Sequence, residues 1–317
     1  MFFSCIFIII GFFMLIKGAD FLVQGASDVA KKFHVSELLI GLTIVAIGTS
    51  LPEFFISLTS AVNGYSELTL GNVIGSNICN LLLILGVSAI ITPIDMNIKS
   101  TENYITFSLL STVLVLAFGN LNHVLTRAYG AFLLLLFLAY LLYTILESLR
   151  ENKEKNISDS IALQSNKNIS ILSCIVKIII GILLLKFGGD FVVDNAVSLS
   201  NFFGISESIV GLSIVAIGTS LPELATCIIS GIKRNSDIAV GNIIGSNILN
   251  LLLVLGSSCL IHPITYDISF NNELILLIVS TLIFWVYKDI GQKNTVTRLK
   301  GLTLLGVYLI NTLLLFS

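Results

Sequence analysis

The chain has 317 residues, of which 55% are hydrophobic and only 11% are charged, and its formal net charge at pH 7 is −2. An average soluble domain has about 25% charged residues, so this chain has too few polar side chains to cover a soluble surface. The composition excludes a soluble protein and indicates a polytopic membrane protein. Its expected partner is the lipid bilayer, with no nucleic acid and no obligatory protein partner.

Ten apolar stretches are long enough to span a bilayer, which takes about 20 helical residues. The predicted fold class is therefore an all-α membrane protein with about ten transmembrane helices. The first stretch lacks the basic start and the small-residue cleavage site of a signal peptide, so we interpret it as a structural helix. The five cysteines lie in apolar stretches without metal-like spacing, which argues against disulfides and zinc, and no cofactor is expected. The predicted spans are 2–23, 38–62, 68–92, 102–120, 124–147, 169–193, 208–231, 238–261, 271–288 and 299–316.

An internal repeat with a constant offset divides the chain. The stretch IVAIGTSLPE that begins at Ile44 recurs unchanged from Ile214, and most of the stretch from Gly71 to Gly86 recurs from Gly241. The offset contains five predicted spans, an odd number, so the second copy should cross the membrane in the opposite direction, as in transporters built from inverted repeats. We therefore predict two inverted five-helix repeats, at 1–149 and 169–317, joined by a short linker at 150–168.

Lysine and arginine are unevenly distributed over the predicted loops. With the N-terminus outside, thirteen of them fall in or beside the inside loops, and only Arg127 falls outside. Because cytoplasmic loops carry an excess of basic residues, this bias predicts that both termini lie outside and that the central loop is cytoplasmic. The expected location is a plasma or inner membrane.

Each copy of IVAIGTSLPE places a carboxylate in the middle of a predicted span, at Glu53 and Glu223. An ionised side chain at the bilayer centre costs roughly 3 kcal/mol even on the lenient insertion scale, so two of them indicate that something positive binds there. Pro52 has no N–H and its ring clashes with the carbonyl four residues back, so the helix should break and free backbone oxygens beside Thr49 and Ser50. A membrane tolerates such a break only where it faces protein or a watery cavity, which indicates a cation site.

The next span adds further oxygen ligands. Ser76 and Asn80 are four residues apart and therefore share one helix face. The pooled carboxylates, hydroxyls, amides and freed carbonyls are hard oxygen donors, which Ca²⁺ binds in sets of about six to eight. Two carboxylates neutralise one dication, and ligand type does not exclude Mg²⁺. The second half repeats the pattern with Thr219, Ser220, Glu223, Ser246 and Asn250.

Structural alternatives stay open for each of these residue types. Asn80 and Asn250 would act only as interhelical hydrogen-bonding groups, and the hydroxyls would bond back to their own helix. The two glutamates would be buried carboxylates paired with a basic side chain. Lys17 or Lys186 would then have to reach them from nearer the membrane edge.

The duplicated motifs resemble those of the cation/Ca²⁺ exchanger superfamily, specifically of prokaryotic sodium/calcium exchangers. They read GLTIVAIGTSLPE from Gly41 and GNVIGSNICN from Gly71, then GLSIVAIGTSLPE from Gly211 and GNIIGSNILN from Gly241, and the resemblance runs from end to end. It implies a ten-helix fold in which the second, third, seventh and eighth helices hold the cations. It also implies that the first and sixth helices slide across the rest to alternate access.

By this resemblance, Ca²⁺ and Na⁺ share Glu53 and Glu223, and the backbone carbonyls of Thr49 and Thr219 complete the Ca²⁺ shell. Asn80 and Asn250 would face the central space. The flanking Na⁺ sites would use Ala46, Thr49, Ser50, Glu53 and Ser76 in one half and Ala216, Thr219, Ser220, Glu223 and Ser246 in the other.

The expected function is secondary antiport, in which the inward Na⁺ gradient expels Ca²⁺. The nearest alternative is the same fold exchanging H⁺ or carrying another divalent ion. A channel is disfavoured by the inverted repeat, and an enzyme is disfavoured because a dyad such as His-Glu-x-x-His is absent from the sequence. Some relatives, including potassium-dependent ones, carry Asp where this chain has Asn250, so potassium co-transport is not expected and the sensitivity to pH should be weaker.

Overall fold

The structure is a computed structural model that describes residues 2–33, 35–95, 101–158, 170–202, 216–287, 290 and 294–315. Nearly all of these residues are helical, as the composition predicts. The first half contains α1 (Phe2–Phe33), α2 (Glu37–Thr49), α3 (Leu51–Val62), α4 (Ser66–Ile91), α5 (Thr101–Asn122) and α6 (Arg127–Ser158). The second half contains α7 (Ile171–Phe202), α8 (Ala216–Thr219), α9 (Leu221–Ile232), α10 (Ser236–Ile261), α11 (Phe270–Tyr287) and α12 (Arg298–Leu315).

The constant offset found in the sequence also relates the helices. The bounds of α9 are those of α3 shifted by that offset, and the bounds of α10 are those of α4 shifted in the same way. Short strands link the two halves, with β1 (Ile94–Asp95) antiparallel to β4 (Thr295–Val296) and β2 (Val124–Leu125) antiparallel to β3 (Ile264–Thr265). Strands of two residues carry no hydrophobic period, so the sequence pattern did not predict them.

The prediction of an all-helical membrane protein is confirmed. Among the described residues, seven helices are long and apolar enough to cross a membrane, or eight when the bent pair α2 and α3 counts as one span. The sequence predicted ten spans, which is more than the seven or eight found among the described residues. The span predicted at 208–231 begins in 203–215, outside the described residues, and the one predicted at 299–316 corresponds to α12, a helix of 18 residues.

Several helices continue beyond the apolar stretches from which they were predicted. α1 extends to Phe33 rather than ending at residue 23, because its buried face continues through Ala26 and Ala30, which are 0% and 2% exposed. α6 extends to Ser158 and so occupies the first part of the predicted linker, while residues 159–169 lie outside the described part of the chain. Because these helix ends are polar, a hydropathy criterion did not predict that the helices continue there.

α1 and α7 form a closely packed antiparallel pair. A Cβ atom added at Gly18 would lie 2.9 Å from the Gly181 carbonyl oxygen, and one at Gly11 would lie 2.8 Å from the Gly188 carbonyl oxygen. Glycine at these points lets the two backbones touch, which is the usual basis of close helix packing in membranes. The pair borders the elements that carry the motif, since Gly48 of α2 packs against Ile182 of α7.

The break predicted at Pro52 is present. α2 and α3 meet at an angle of 51°, and Ser50 between them has φ −86° and ψ 10°, outside the helical region. Ser220 has nearly the same angles, φ −89° and ψ 6°, between α8 and α9. Because Pro52 and Pro222 have no N–H, the carbonyls four residues earlier, at Gly48 and Gly218, lack their helical donors.

Candidate cation site

The two glutamates of the motif lie at the interface between the halves. Glu53 and Glu223 each occupy the third position of the helix that follows a break, α3 and α9, and each is only 1% exposed. The N-terminus of a helix carries a partial positive charge, which favours a carboxylate in its first turn. Two buried carboxylates so placed still need a cation or a proton to neutralise them, because the partial charge of a helix end does not balance a full charge.

Each half supplies a hydroxyl donor to the carboxylate of the other half. Ser50 Oγ lies 2.9 Å from Glu223 Oε1, and Ser220 Oγ lies 3.4 Å from Glu53 Oε1. Ser50 Oγ also lies 2.9 Å from Ser246 Oγ on α10. The serine three residues before one glutamate therefore orients the other glutamate, and both carboxylates belong to one site.

Four side-chain oxygens at this interface are buried and have no hydrogen-bond partner among the described residues. They are Glu53 Oε2, Asn80 Oδ1, Glu223 Oε2 and Asn250 Oδ1, and the four side chains are each 1% exposed. The set contains one carboxylate oxygen and one amide oxygen from each half. Buried polar atoms are almost always hydrogen-bonded, so four acceptors left over at the interface of the halves indicate a ligand that binds oxygen. A metal cation fits that description.

Most of the remaining residues predicted to bind ions are also buried. The Thr49 hydroxyl lies 3.1 Å from the Val45 carbonyl oxygen and 3.0 Å from Asn242 Oδ1, so it bonds mainly within the protein, as one structural alternative proposed. The residues found at 0–9% exposure are Ala46, Thr49, Ser50, Ser76, Thr219, Ser220 and Ser246. Ala216 begins α8, and its side chain lies outside the described set.

Three asparagines at the site were not predicted from the sequence, namely Asn77, Asn242 and Asn247. All three are buried at 0–1% exposure, and Asn77 and Asn247 hydrogen-bond to the opposite half. Asn77 lies three residues before Asn80 and therefore near the same helix face, but a pattern of side chains four residues apart does not include it. Its recurrence in the second repeat was the signal that would have identified it.

The alternative of an ion pair for the glutamates does not hold in the described part of the chain. Of the two lysines that this alternative required, Lys186 has its Nζ 3.1 Å from Asp190, and Lys17 forms no salt bridge with either glutamate in the described part of the chain. Lys233 pairs with Asp20. Glu53 and Glu223 accept hydrogen bonds from serine hydroxyls instead.

Comparison with known proteins gives a consistent family assignment. The profile of the family described as sodium/calcium exchanger protein matches residues 3–146 and 173–317. The chain is 34% identical over 322 residues to the putative antiporter CaxA of Alkalimonas amylolytica, covering 99% of both chains. It is 30% identical over 342 residues to the sodium/calcium exchanger MaX1 of Methanosarcina acetivorans, covering 98% of this chain and 97% of that protein.

A solved structure supports the same conclusion. The sodium-calcium exchanger NCX_Mj, soaked with 2.5 mM Na⁺ and 0.1 mM Ca²⁺, superposes with a TM-score of 0.83 at 30% sequence identity and 97% coverage of both chains. The predicted resemblance is thereby confirmed, as is the prediction of a transporter rather than an enzyme. With two separate matches to one family profile, two repeats in the fold and a shared carboxylate site between them, the chain belongs to the sodium/calcium exchanger family of membrane antiporters.

Proposed function

We propose that this chain exchanges Ca²⁺ for Na⁺ across the plasma or inner membrane, and that the inward Na⁺ gradient drives Ca²⁺ out. The observation that carries the proposal is the set of four buried oxygens of Glu53, Asn80, Glu223 and Asn250, for which the described part of the chain offers no partner. An unsatisfied polar group in a membrane interior costs several kcal/mol, so a site that retains four of them is completed by what it transports.

The donor set suits Ca²⁺. Adding the carbonyl oxygens of Thr49 and Thr219 to the four side-chain oxygens gives six, and Ca²⁺ takes about six to eight oxygen ligands in flexible geometry. Two carboxylates supply the charge that neutralises one dication. All of these ligands are hard oxygens, which favours Ca²⁺ or a similar ion over a soft metal.

Na⁺ would compete for the same carboxylates. In the proposed flanking sites, Na⁺ binds Glu53 together with Ala46, Thr49, Ser50 and Ser76. The corresponding site in the other half uses Glu223 with Ala216, Thr219, Ser220 and Ser246. Because one set of oxygens holds either Ca²⁺ or Na⁺, binding of one ion displaces the other, and this competition couples the two fluxes.

The transport cycle follows from the inverted repeat. Ten spans in two inverted five-helix repeats would place the site near the bilayer midplane, where rearrangement of one group of helices against the rest exposes it to each side in turn. We assign that movement to α1 and α7, with both termini outside and the central loop in the cytoplasm, as the distribution of basic residues predicts. Coupling to Na⁺ rather than H⁺ is part of the proposal.

The test is uptake of radiolabelled Ca²⁺ into proteoliposomes loaded with Na⁺ and diluted into Na⁺-free buffer. A K⁺-loaded preparation and a pH jump without Na⁺ run as controls, and Glu53→Gln serves as the inactive variant. Uptake that needs the Na⁺ gradient and disappears in the variant supports the proposal. Uptake driven by the pH jump alone would replace Na⁺ with H⁺ as the coupling ion, and uptake unchanged in the variant would refute the site.

A further inference from the structure

Four asparagines form a hydrogen-bonded group across the interface of the two halves. Asn77 Nδ2 lies 3.1 Å from the Asn247 carbonyl oxygen, and Asn247 Nδ2 lies 3.4 Å from the Asn77 carbonyl oxygen. Asn80 Nδ2 then lies 3.0 Å from Asn247 Oδ1, and Asn250 Nδ2 lies 3.1 Å from Asn77 Oδ1. The four side chains are at most 1% exposed, and the group has the twofold symmetry of the repeat.

The orientation of each amide in this group follows from the backbone. A backbone carbonyl is only an acceptor, so the NH₂ group of Asn247 must face the Asn77 carbonyl. The amide oxygen of Asn247 then faces Asn80, which must present its own NH₂ group in return. Asn80 Oδ1 is thereby turned away, and it is one of the four buried oxygens that lack a partner in the described structure. The same steps lead from the Asn247 carbonyl through Asn77 to Asn250 Oδ1.

We propose that Asn77 and Asn247 are positioning residues that fix the amide oxygens of Asn250 and Asn80 toward the cation. Without them each amide would rotate freely about its last torsion and present NH₂ to the cation in part of the population. An NH₂ group is a donor with no acceptor capacity, so it repels a cation. This inference rests on the proposed function, because it assumes a cation between the two glutamates.

The proposal separates Asn247 from a residue that only packs the interface. At Asn80 an aspartate presents an oxygen in either orientation, so in the Asn80→Asp background there is no amide left to orient. The loss of Asn247 should therefore weaken Ca²⁺ binding in the parent chain and matter far less in that background. If Asn247 only packs the interface, its loss should lower Ca²⁺ affinity equally in the parent chain and in the Asn80→Asp background.

The experiment is a double-substitution cycle on the purified full chain, with equilibrium binding of radiolabelled Ca²⁺ as the readout. Asn247→Ala should lower Ca²⁺ affinity about tenfold in the parent, the effect of one neutral hydrogen bond, and less than about threefold in the Asn80→Asp background. In transport, KM for Ca²⁺ should rise about tenfold while kcat stays within about twofold. The matched control is Asn271→Ala, which removes a reciprocal asparagine pair with Asn120 on the exposed surface and should leave affinity unchanged.

The outcomes separate this inference from the proposed function. If the parent chain binds neither Ca²⁺ nor Na⁺, the proposed function fails. If the parent binds Ca²⁺ and Glu53→Gln does not, but Asn247→Ala binds normally or loses equally in both backgrounds, only the positioning role is overturned. The mirrored cycle, Asn77→Ala with Asn250→Asp, applies the same test if Asn247→Ala does not fold.

Discussion

Removing one carboxylate should abolish Ca²⁺ binding without weakening the fold. Glu53→Gln keeps the size of the side chain and removes one unit of charge. Two unit charges about 4 Å apart are worth about 4 kcal/mol at an effective dielectric of about 20, and a unit charge against a dication about twice that. Roughly half of this loss is offset because the amide oxygen of glutamine still binds the ion. About 4 kcal/mol remains, which corresponds to about a thousandfold loss of Ca²⁺ affinity.

The assay for this substitution compares Ca²⁺ binding with thermal unfolding of the purified protein. In ion-free buffer, Glu53→Gln should unfold at a temperature no lower than the parent, since the site then lacks a cation that needs the charge. A ligand at about a hundred times its Kd stabilises a protein by about 2.7 kcal/mol, so added Ca²⁺ should raise the unfolding temperature of the parent but not of the variant.

Glu67→Gln at the exposed start of α4 is the matched control, because it makes the same chemical change away from the site. It should retain both the affinity and the thermal shift of the parent. The reasoning is refuted if Glu53→Gln keeps Ca²⁺ affinity within about threefold of the parent. It is also refuted if the ion-free variant is strongly destabilised, which would make Glu53 a structural residue.

Four further substitutions test other parts of the structure. Asn250→Asp adds a titratable carboxylate to the site, so Ca²⁺ uptake should be inhibited more at mildly acidic pH than in the parent, and an unchanged pH profile would show that residue 250 does not face the site. In the first half the Ser57 hydroxyl accepts a hydrogen bond from Asn72, and the corresponding residues of the second half are Cys227 and Asn242, whose Nδ2 has no partner among the described residues. Cys227→Ser supplies the missing hydroxyl and should therefore raise stability by about 1 kcal/mol in thermal unfolding. Gly18→Ala should lower stability by about 1–3 kcal/mol, since the added methyl meets α7 backbone within 3 Å. Gly306→Ala, with open space at its Cβ position, should instead raise it by up to about 1 kcal/mol, and equal effects of the two glycine changes would contradict the packing argument.

The parts of the fold that the sequence predicted are those governed by the bilayer itself. Two carboxylates in apolar stretches are conspicuous because the membrane penalises them, and Pro52 breaks a helix wherever it is placed in one. The internal repeat predicted a second carboxylate and a second helix break. These three constraints were enough to identify Glu53, Glu223 and the broken helices that carry them.

The features that the sequence did not predict depend on which surfaces meet. The role of Asn77 arises only because α4 packs against α10 with the two motifs side by side, and spacing along one helix does not reveal that contact. The extension of α1 to Phe33 depends on the apolar cluster in which Ala26 and Ala30 are buried together with Ile40 and Val45 of α2. The short strands join segments from opposite halves of the chain, β1 with β4 and β2 with β3, which local patterns do not encode.

The site is built so that neither half completes it alone. Ser50 donates to the carboxylate of the second half, Ser220 donates to that of the first, and the asparagine group crosses the same interface. Because these contacts cross the interface, the hydrogen-bond partners of both glutamates depend on how the two halves meet. The symmetry is broken between Ser57 and Cys227. In the first half, Asn72 Nδ2 donates two hydrogen bonds, to the Glu53 carbonyl oxygen and to Ser57 Oγ. In the described part of the second half, Asn242 Nδ2 has no partner, and Asn242 Oδ1 lies 3.0 Å from the Thr49 hydroxyl. The two halves therefore carry the same ligand residues on different hydrogen-bonded supports.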